Sequence, residues 1–466
     1  MIIGDKYNAI FLITASCVLY FFAGYFLERT AFNQLLFVWF SLFICCYFLI
    51  KNSQLRFKDL VGISILFRLV LLFQIPNLSQ DFYRFIWDGR MILEGLNPYL
   101  SLPETFIQQG INPVVDSLSL YNGMGELNGS HYTNYPPLHQ FCFYIAAIFA
   151  GKSIFGAVIV LRSIIILADI GILYFGSKLL EKLQLPVRNI FWYLLNPFII
   201  IEMTGNLHFE PVMLFFLIWA LYQLSQKKWL FAAILIACSI SVKLIPLLFL
   251  PLFYQWFVAN YSAKKEKNLS LKKDSKWIST LTGMMKLLSF YTIVLAITIL
   301  FFLPFYSSGF INNYTESVGL WFQDFEFNAS FYYLFREIGY LFRGWNEIAI
   351  IGKITPILTV LLLGYLTFFR KNNTLKHLIP SLLFGLTFYY FTTTTMHPWY
   401  LATLIILSVF TKYRFPIVWS VVIILSYQAY ANIPWKENLW FVTIEYIIVF
   451  IYLIFELKNK NNNQLT

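Results

Sequence analysis

The chain has 466 residues, of which 59% are hydrophobic, 20% aromatic and only 12% charged. An ordinary soluble domain carries about twice that charge, so a disordered chain, a nucleic-acid-binding domain and an average cytosolic enzyme are excluded, and the bilayer must act as solvent. The formal charge of +11 (34 Lys and Arg against 23 Asp and Glu) falls mostly in short gaps between apolar runs, which is the pattern that orients a membrane protein.

A span needs about 20 apolar residues, fewer where neighbours cover a short helix. The apolar runs predict spans at 8–27, 31–50, 59–76, 154–177, 190–204, 210–225, 229–242, 244–258, 282–305, 349–369, 377–393, 398–411, 415–430 and 439–457. The expected fold class is therefore all-α: a polytopic membrane protein of about 12–14 transmembrane helices, forming one integral membrane domain over residues 1–466. The first run lacks a basic n-region and a small-residue cleavage site, so it reads as a retained span and not as a removed signal peptide. The segment 136–151 is apolar but short and reads as re-entrant or interfacial, because a full crossing would invert every later loop. Cys17, Cys45, Cys46, Cys142 and Cys238 lie in apolar stretches without CxxC or zinc spacing, and read as core or lipid-facing residues.

Orientation follows from Lys and Arg. With the N-terminus inside, 22 of the 34 basic residues fall in inside segments, including six lysines between Lys264 and Lys276. Six fall outside: Arg29, Arg84, Arg90, Arg336, Arg343 and Lys436. The run 229–258 could be one long tilted helix, but that would put the lysine cluster outside, so a hairpin of two short helices bending near Lys243–Pro246 is the preferred reading. Two large outside segments, 77–135 and 306–348, hold 11 of the 23 carboxylates and suit an enzyme working at the outer face, with interfacial helices on the loops. The tail NKNNNQ at 459–464 reads as a frayed end.

Five clusters could carry chemistry. In the stretch after the third span, Asp81, Arg84 and Asp88 fall at i, i+3 and i+7, on one face of a helix predicted to lie at the membrane surface with its aromatics in the interface. Asp81 stands where the chain leaves the bilayer; partial desolvation there raises a carboxylate's pKa and suits it to general-base work, whereas the plainer reading is an Asp–Arg pair tying down a loop. The same stretch continues to Asn97-Pro98-Tyr99. Tyr135-Pro136-Pro137-Leu138-His139 is a helix start that can also line a groove. Glu202, His208 and Glu210 converge within nine residues around Gly205-Asn206, and ionisable groups at a membrane edge are functional candidates, although they could equally satisfy helix ends. Lys243 sits in an apolar 30-mer and calls for an anionic partner, either a phosphate, Glu202 or Glu210; the alternative is a snorkelling lysine. Finally, His397-Pro398-Trp399-Tyr400 heads a span and could stack on a sugar; an interfacial aromatic belt accounts for Trp399 and Tyr400 but less readily for His397. No Walker loop, GxGxxG, HExxH or nucleophile elbow is present, which argues against nucleotide chemistry on the cytoplasmic side.

Taken in order, the segments DFYRFIWDGRMILEGLNPY, YPPL, NPFIIIEMTGNLHFEP, SVKLIPLL and HPWY, spread over about 80–400, resemble the polytopic GT-C glycosyltransferases. They are most similar to the bacterial mannosyltransferase-like branch that uses polyprenyl-phosphate sugars. The resemblance implies a GT-C-like helical membrane core with an acidic residue in the first large outer loop that acts on the acceptor hydroxyl. Asp81 is the matching position. Many relatives carry paired acids; here Gln80 precedes Asp81 and the next acid is Asp88, which leaves open whether a divalent metal takes part and which carboxylate is the base. No cofactor and no metal site is expected.

The implied reaction is inverting transfer of a hexose, mannose by resemblance, from a polyprenyl-phosphate donor to a lipid- or glycan-linked acceptor. Asp81 would be the base, with Arg84 and Asp88 beside it. Lys243, assisted by Arg84 or His208 and flanked by Glu202 and Glu210, would hold the departing phosphate. His397, Trp399 and Tyr400, with Tyr135 and Asn97, would shape the sugar and acceptor sites. A groove between short helices would admit the lipid tail. The resemblance places the protein in the bacterial inner membrane, with cytoplasmic termini, an extracytoplasmic active site, lipid and glycan as partners, and no nucleic acid. The competing readings are a secondary transporter, which would show two related halves and charges at mid-bilayer, and a polysaccharide polymerase or ligase using lipid-linked sugars.

Overall fold

The computed structural model describes residues 2–259, 274–323 and 325–462, and it is helical almost throughout. The helices are α1 (Ile2–Tyr25), α2 (Phe32–Lys51), α3 (Phe57–Val70), α4 (Asp81–Leu93), α5 (Pro103–Gln108), α6 (Ser117–Gly129), α7 (Pro137–Ala150), α8 (Ile154–Leu183), α9 (Phe191–Leu194), α10 (Glu210–Ser225) and α11 (Trp229–Val242). They are followed by α12 (Asp274–Phe302), α13 (Phe310–Gln323), α14 (Phe331–Arg343), α15 (Ile348–Phe368), α16 (Leu375–Thr392), α17 (Leu401–Val409), α18 (Phe415–Val422) and α19 (Leu439–Asn462). Among the described residues no strand forms, and an isolated parallel bridge joins Phe327 to Thr395. The all-α polytopic expectation holds. The part of the lysine cluster from Lys264 to Lys273, and the tail beyond Asn462, lie outside the described residues.

Six helices among the described residues are by themselves long and apolar enough to cross a membrane, or seven if the bent pair Ile199–Gly205 and Glu210–Ser225 counts as one span; other predicted spans fall on shorter helices. Crossing takes about 20 residues at 1.5 Å each, but Pro137–Ala150, Trp229–Val242, Ile245–Ala259, Pro398–Val409 and Phe415–Ala431 are all shorter. Leu404 to Leu407 of α17 have no exposed surface, so protein surrounds that helix, whereas α11 buries Ala232, Ala233, Ile236, Ala237 and Ile240 and leaves Leu230, Phe231 and Ile234 exposed on its other face. As expected of 136–151, α7 is too short to span alone; it packs between α4 and α8.

Three breaks in helical order shape the molecule. A π-helix over Ile199–Gly205 gives way to a turn in which Leu207 takes a left-handed φ of 62°, and α10 then leaves at 110°. α11 ends at Val242, Lys243 is extended (φ −149°, ψ 143°), and a 3₁₀-helix follows over Ile245–Phe253. This is the predicted bend: Pro246 stands in the first turn of the 3₁₀-helix, where its missing N–H costs nothing, and Pro251 cannot donate to an α-helical ladder. A non-helical stretch over 393–397 is stitched to 325–327, where the Phe327 amide donates to the Thr394 carbonyl (3.2 Å) and the Met396 amide to the Phe327 carbonyl (2.8 Å).

Helix α4 does not lie at the surface. It is wedged between α6 and α7, and Phe82, Phe85, Ile86, Trp87 and Met91 are buried in the core. Its aromatics meet protein aromatics, as where Phe85 stacks on Phe143 at 4.6 Å. The α4–α7 contact leaves no room at Gly89, where a Cβ would stand 2.3 Å from the Phe143 carbonyl oxygen. Gly89→Ala should therefore force α4 and α7 apart and destabilise the solubilised protein by about 1–3 kcal/mol in a denaturation experiment. An unchanged midpoint would mean the two helices are not packed as described.

Candidate active site

The helix breaks and the two termini facing them enclose one cavity of about 690 Å³. The turn between α1 and α2 supplies Arg29, and the start of α4 supplies Ser79, Gln80, Asp81 and Phe85. The end of α6 and its following loop supply Asn128, His131, Asn134 and Tyr135; the turn after the π-helix, His208 and Phe209. Lys243 comes from the break after α11, and Thr393, Thr395, His397, Trp399 and Tyr400 from the stretch before α17, with Tyr430 and Trp435 closing the side. The lining also includes the mainly apolar Leu247, Leu248, Pro356, Val360 and Tyr389.

Asp81 is the first residue of α4, where the helix dipole favours a carboxylate. Its side chain is half-buried, and Oδ1 accepts a hydrogen bond from Asn128 Nδ2 at 3.2 Å. Burial raises its pKa above the ordinary carboxylate value; the Asn128 hydrogen bond and the cations Arg29 and Lys243 oppose that shift without cancelling it. His131, in the following loop, is pushed down to about 4, first by burial and then by the neighbouring Arg84 guanidinium.

Opposite this carboxylate, Lys243 Nζ is ion-paired with Glu210, which is buried at the start of α10. His208 Nε2 stands 3.6 Å from Glu202, whose other oxygen accepts from the Tyr427 hydroxyl at 2.6 Å. Trp399 stacks on both imidazoles, at 4.0 Å from His208 and 4.5 Å from His397. Tyr400 meets His397 edge-on at 5.5 Å, and its carbonyl accepts from Tyr390. Tyr135 is held through its carbonyl by the Tyr99 hydroxyl at 2.6 Å.

Thus Asp81, Tyr135, His208, Lys243, His397, Trp399 and Tyr400, drawn from five separated motifs, line one cavity. Glu202 and Glu210 stand one layer behind, each against a residue that lines it. Arg84, Asp88 and Asn97 are not brought to the cavity. Arg84 Nε donates to Asp88 at 2.8 Å, its terminal nitrogen donates to the Asn128 and His131 carbonyls, and Gln140 donates to the other Asp88 oxygen at 2.9 Å. This buried knot locks the end of α6, which carries Asn128, and the loop that follows it, and so fixes Asp81 indirectly. Asn97 ties the chain to the Phe305 carbonyl at 2.8 Å.

Arg29, Asn128 and Tyr430 were not singled out from the sequence. Only Arg29 offered a sign, as one of few cations placed outside. Among the described residues no group of three or more His, Cys, Asp or Glu side chains could hold a metal ion.

Residues 14–260 match the family described as Alpha-(1->6)-mannopyranosyltransferase, N-terminal domain (MptA_B family). The chain is also similar to alpha-(1->6)-mannopyranosyltransferase A of Corynebacterium glutamicum, with 25% identity over 197 residues. That similarity covers 41% of this chain and spans 37% of the relative's length. The family match includes Asp81, His208 and Lys243 and bears out the resemblance to mannosyltransferases of the GT-C class.

The separation of roles predicts different stability effects. Asp88→Ala leaves Arg84 buried without its carboxylate and should cost about 3–5 kcal/mol in urea unfolding of the solubilised protein. Asp81→Asn, which removes a charge facing a cavity, should stay within about 1 kcal/mol of wild type. The reverse order would show that Asp81, not Asp88, is the structural carboxylate.

Proposed function

The chain belongs to the alpha-(1->6)-mannopyranosyltransferase family, and on that premise we propose that it is a multi-pass membrane enzyme moving a mannosyl group from a polyprenyl-phosphate donor to a glycan or lipid-linked acceptor. The observation that carries the reading is the single cavity in which the Asp81 carboxylate, the only carboxylate lining it among the described residues, shares space with the cations Lys243 and Arg29.

In this reaction the acceptor hydroxyl attacks the anomeric carbon. A C–O bond to the acceptor forms as the anomeric C–O bond to phosphate breaks, with inversion at that carbon. Asp81 takes the hydroxyl proton and becomes neutral, while the phosphodiester monoanion leaves as a monoester dianion. One unit of negative charge therefore passes from Asp81 to the leaving phosphate. Catalysis needs a cation waiting there, in a site shielded from water where its field is strong. Lys243 supports that role. The stacked His208, Trp399 and His397 offer flat aromatic surface and ring nitrogens to the sugar, and Tyr135 and Tyr400 flank it. Arg84 and Asp88 act as positioning residues through Asn128. The apolar part of the lining suits the isoprenoid chain.

The Lys and Arg asymmetry supports cytoplasmic termini and an extracytoplasmic reaction. A lipid-linked donor then meets the need for an activated sugar on a face without nucleotide sugars.

Transfer from mannosyl phosphoryl polyprenol to a mannoside acceptor should fall at least about 100-fold in Asp81→Asn with the fold intact. The base works only when ionised, so kcat/KM should be full at high pH and fall as pH drops through Asp81's raised pKa. The acid limb should therefore lie above the ordinary aspartate value near 3.9. Near-normal transfer by Asp81→Asn would remove Asp81 as the base.

A further inference from the structure

Two cations line the cavity, and their electrostatic situations differ. Lys243 already has a buried anionic partner in Glu210, so the pair as a whole carries no net charge. Arg29 has none: among the described residues no carboxylate oxygen lies within 4.0 Å of its guanidinium. Its Cζ instead lies 3.3 Å from the centroid of the Tyr430 ring, and its buried Nε has no hydrogen-bond partner. An aromatic ring holds a cation in place without neutralising it. The result is a fixed positive charge at the cavity wall whose field reaches Asp81 but whose N–H groups no carboxylate occupies.

A guanidinium is also the better shaped ligand. Its planar fork can donate two parallel hydrogen bonds to phosphate oxygens, whereas an ammonium acts as a point charge. The charge that develops on a leaving phosphate is best met by a cation whose field is not already spent on a carboxylate.

We propose that Arg29, held on Tyr430 in the turn between α1 and α2, is the principal phosphate-binding residue of this cavity, with the Lys243–Glu210 pair as a secondary contact. The assignment rests on the reading of the donor as a lipid phosphate. It shifts the main anion contact from the α11 break, where the sequence points, to the first interhelical turn.

The test is binding of geranylgeranyl phosphate and of geranylgeraniol to the full-length protein in detergent, followed by tryptophan fluorescence, since Trp399 and Trp435 line the cavity. Wild type should prefer the phosphate by at least about tenfold, the worth of a charge-assisted hydrogen bond. Arg29→Gln should lose most of that preference with geranylgeraniol affinity unchanged, and Lys243→Gln should lose less of it. An Arg29→Gln protein that keeps the full preference, or a larger loss in Lys243→Gln, overturns the assignment and leaves the lipid-phosphate donor standing. A wild type that binds both ligands alike overturns the donor reading and this assignment together. If Arg29→Gln loses geranylgeraniol as well, Arg29→Lys decides: a severalfold loss of phosphate preference supports the bidentate contact, and an unchanged preference overturns it.

Discussion

Backbone that stops being helical inside an apolar bundle must find its hydrogen bonds within the protein, because neither lipid nor bulk water can supply them. One guanidinium meets that demand at the end of the π-helix and in the segment before α4. Arg162, buried in the long helix α8, donates from Nε to the Thr204 carbonyl (2.8 Å) and from Nη2 to that of Gly205 (2.9 Å). Its Nη1 donates to the carbonyls of Leu72 (2.9 Å) and Gln74 (2.6 Å). The first pair ends the π-helix that leads into His208, and the second lies in the segment that leads into Asp81. Gln74 adds a direct link through its side-chain amide to the Gly205 carbonyl at 2.6 Å. The irregular approaches to both halves of the cavity are thus fixed to a single rigid helix, which is how residues more than 120 positions apart come to face one space.

The same economy of charge runs through the bundle. Arg68 and Asp169 pair at 2.7 Å with 2% exposure each, and Asp169 also accepts from Tyr193. Arg84 and Asp88 pair within the α4–α7 knot. These pairs are fully desolvated, and a charge so placed is tolerated only with a partner. Against that background the exceptions stand out by chemistry. Asp81 has one neutral donor and opens on the cavity, and Arg29 has an aromatic ring in place of a carboxylate. A site that must accept a proton at one point and a negative charge at another needs incompletely matched groups there, and the surrounding matched pairs keep the scaffold stable enough to hold them.

What the sequence could reveal follows from how local each cause is. The long apolar runs and the bend at Lys243 are legible because length, Pro246 and Pro251 act within a few residues. The convergence of Asp81, His208, Lys243 and His397 was legible only by way of the family resemblance, since no periodicity links motifs so far apart. Arg84 and Asp88 were misleading for a physical reason: the i, i+4 spacing that puts them on one face also lets them neutralise each other, which withdraws them from the cavity. The burial of α4 was illegible because its aromatics fit an interface and a core equally well, and only α6 and α7 decide between them. Arg29 lies in a short turn with no pattern around it, and its partner Tyr430 is 401 positions away.

The short helices bear on the apolar part of the cavity lining. A helix that crosses the whole bilayer seals its flank, whereas one that ends part-way leaves a gap that its neighbour must close. After Lys243 the chain runs as a 3₁₀-helix, thinner than an α-helix and unable to continue the groove-and-ridge packing of α11. Leu247 is partly exposed there, and Val360 on the facing α15 is mostly exposed. The apolar part of the cavity lining thus includes side chains exposed on the outside of the bundle, and the same lining carries the polar Asn128, His131 and Asn134. On the proposed reading, this one discontinuity both presents Lys243 to the reacting phosphate and leaves the way through which an isoprenoid chain can reach it, so loss of helical continuity at 243–246 is a requirement of the chemistry and not a defect of the fold.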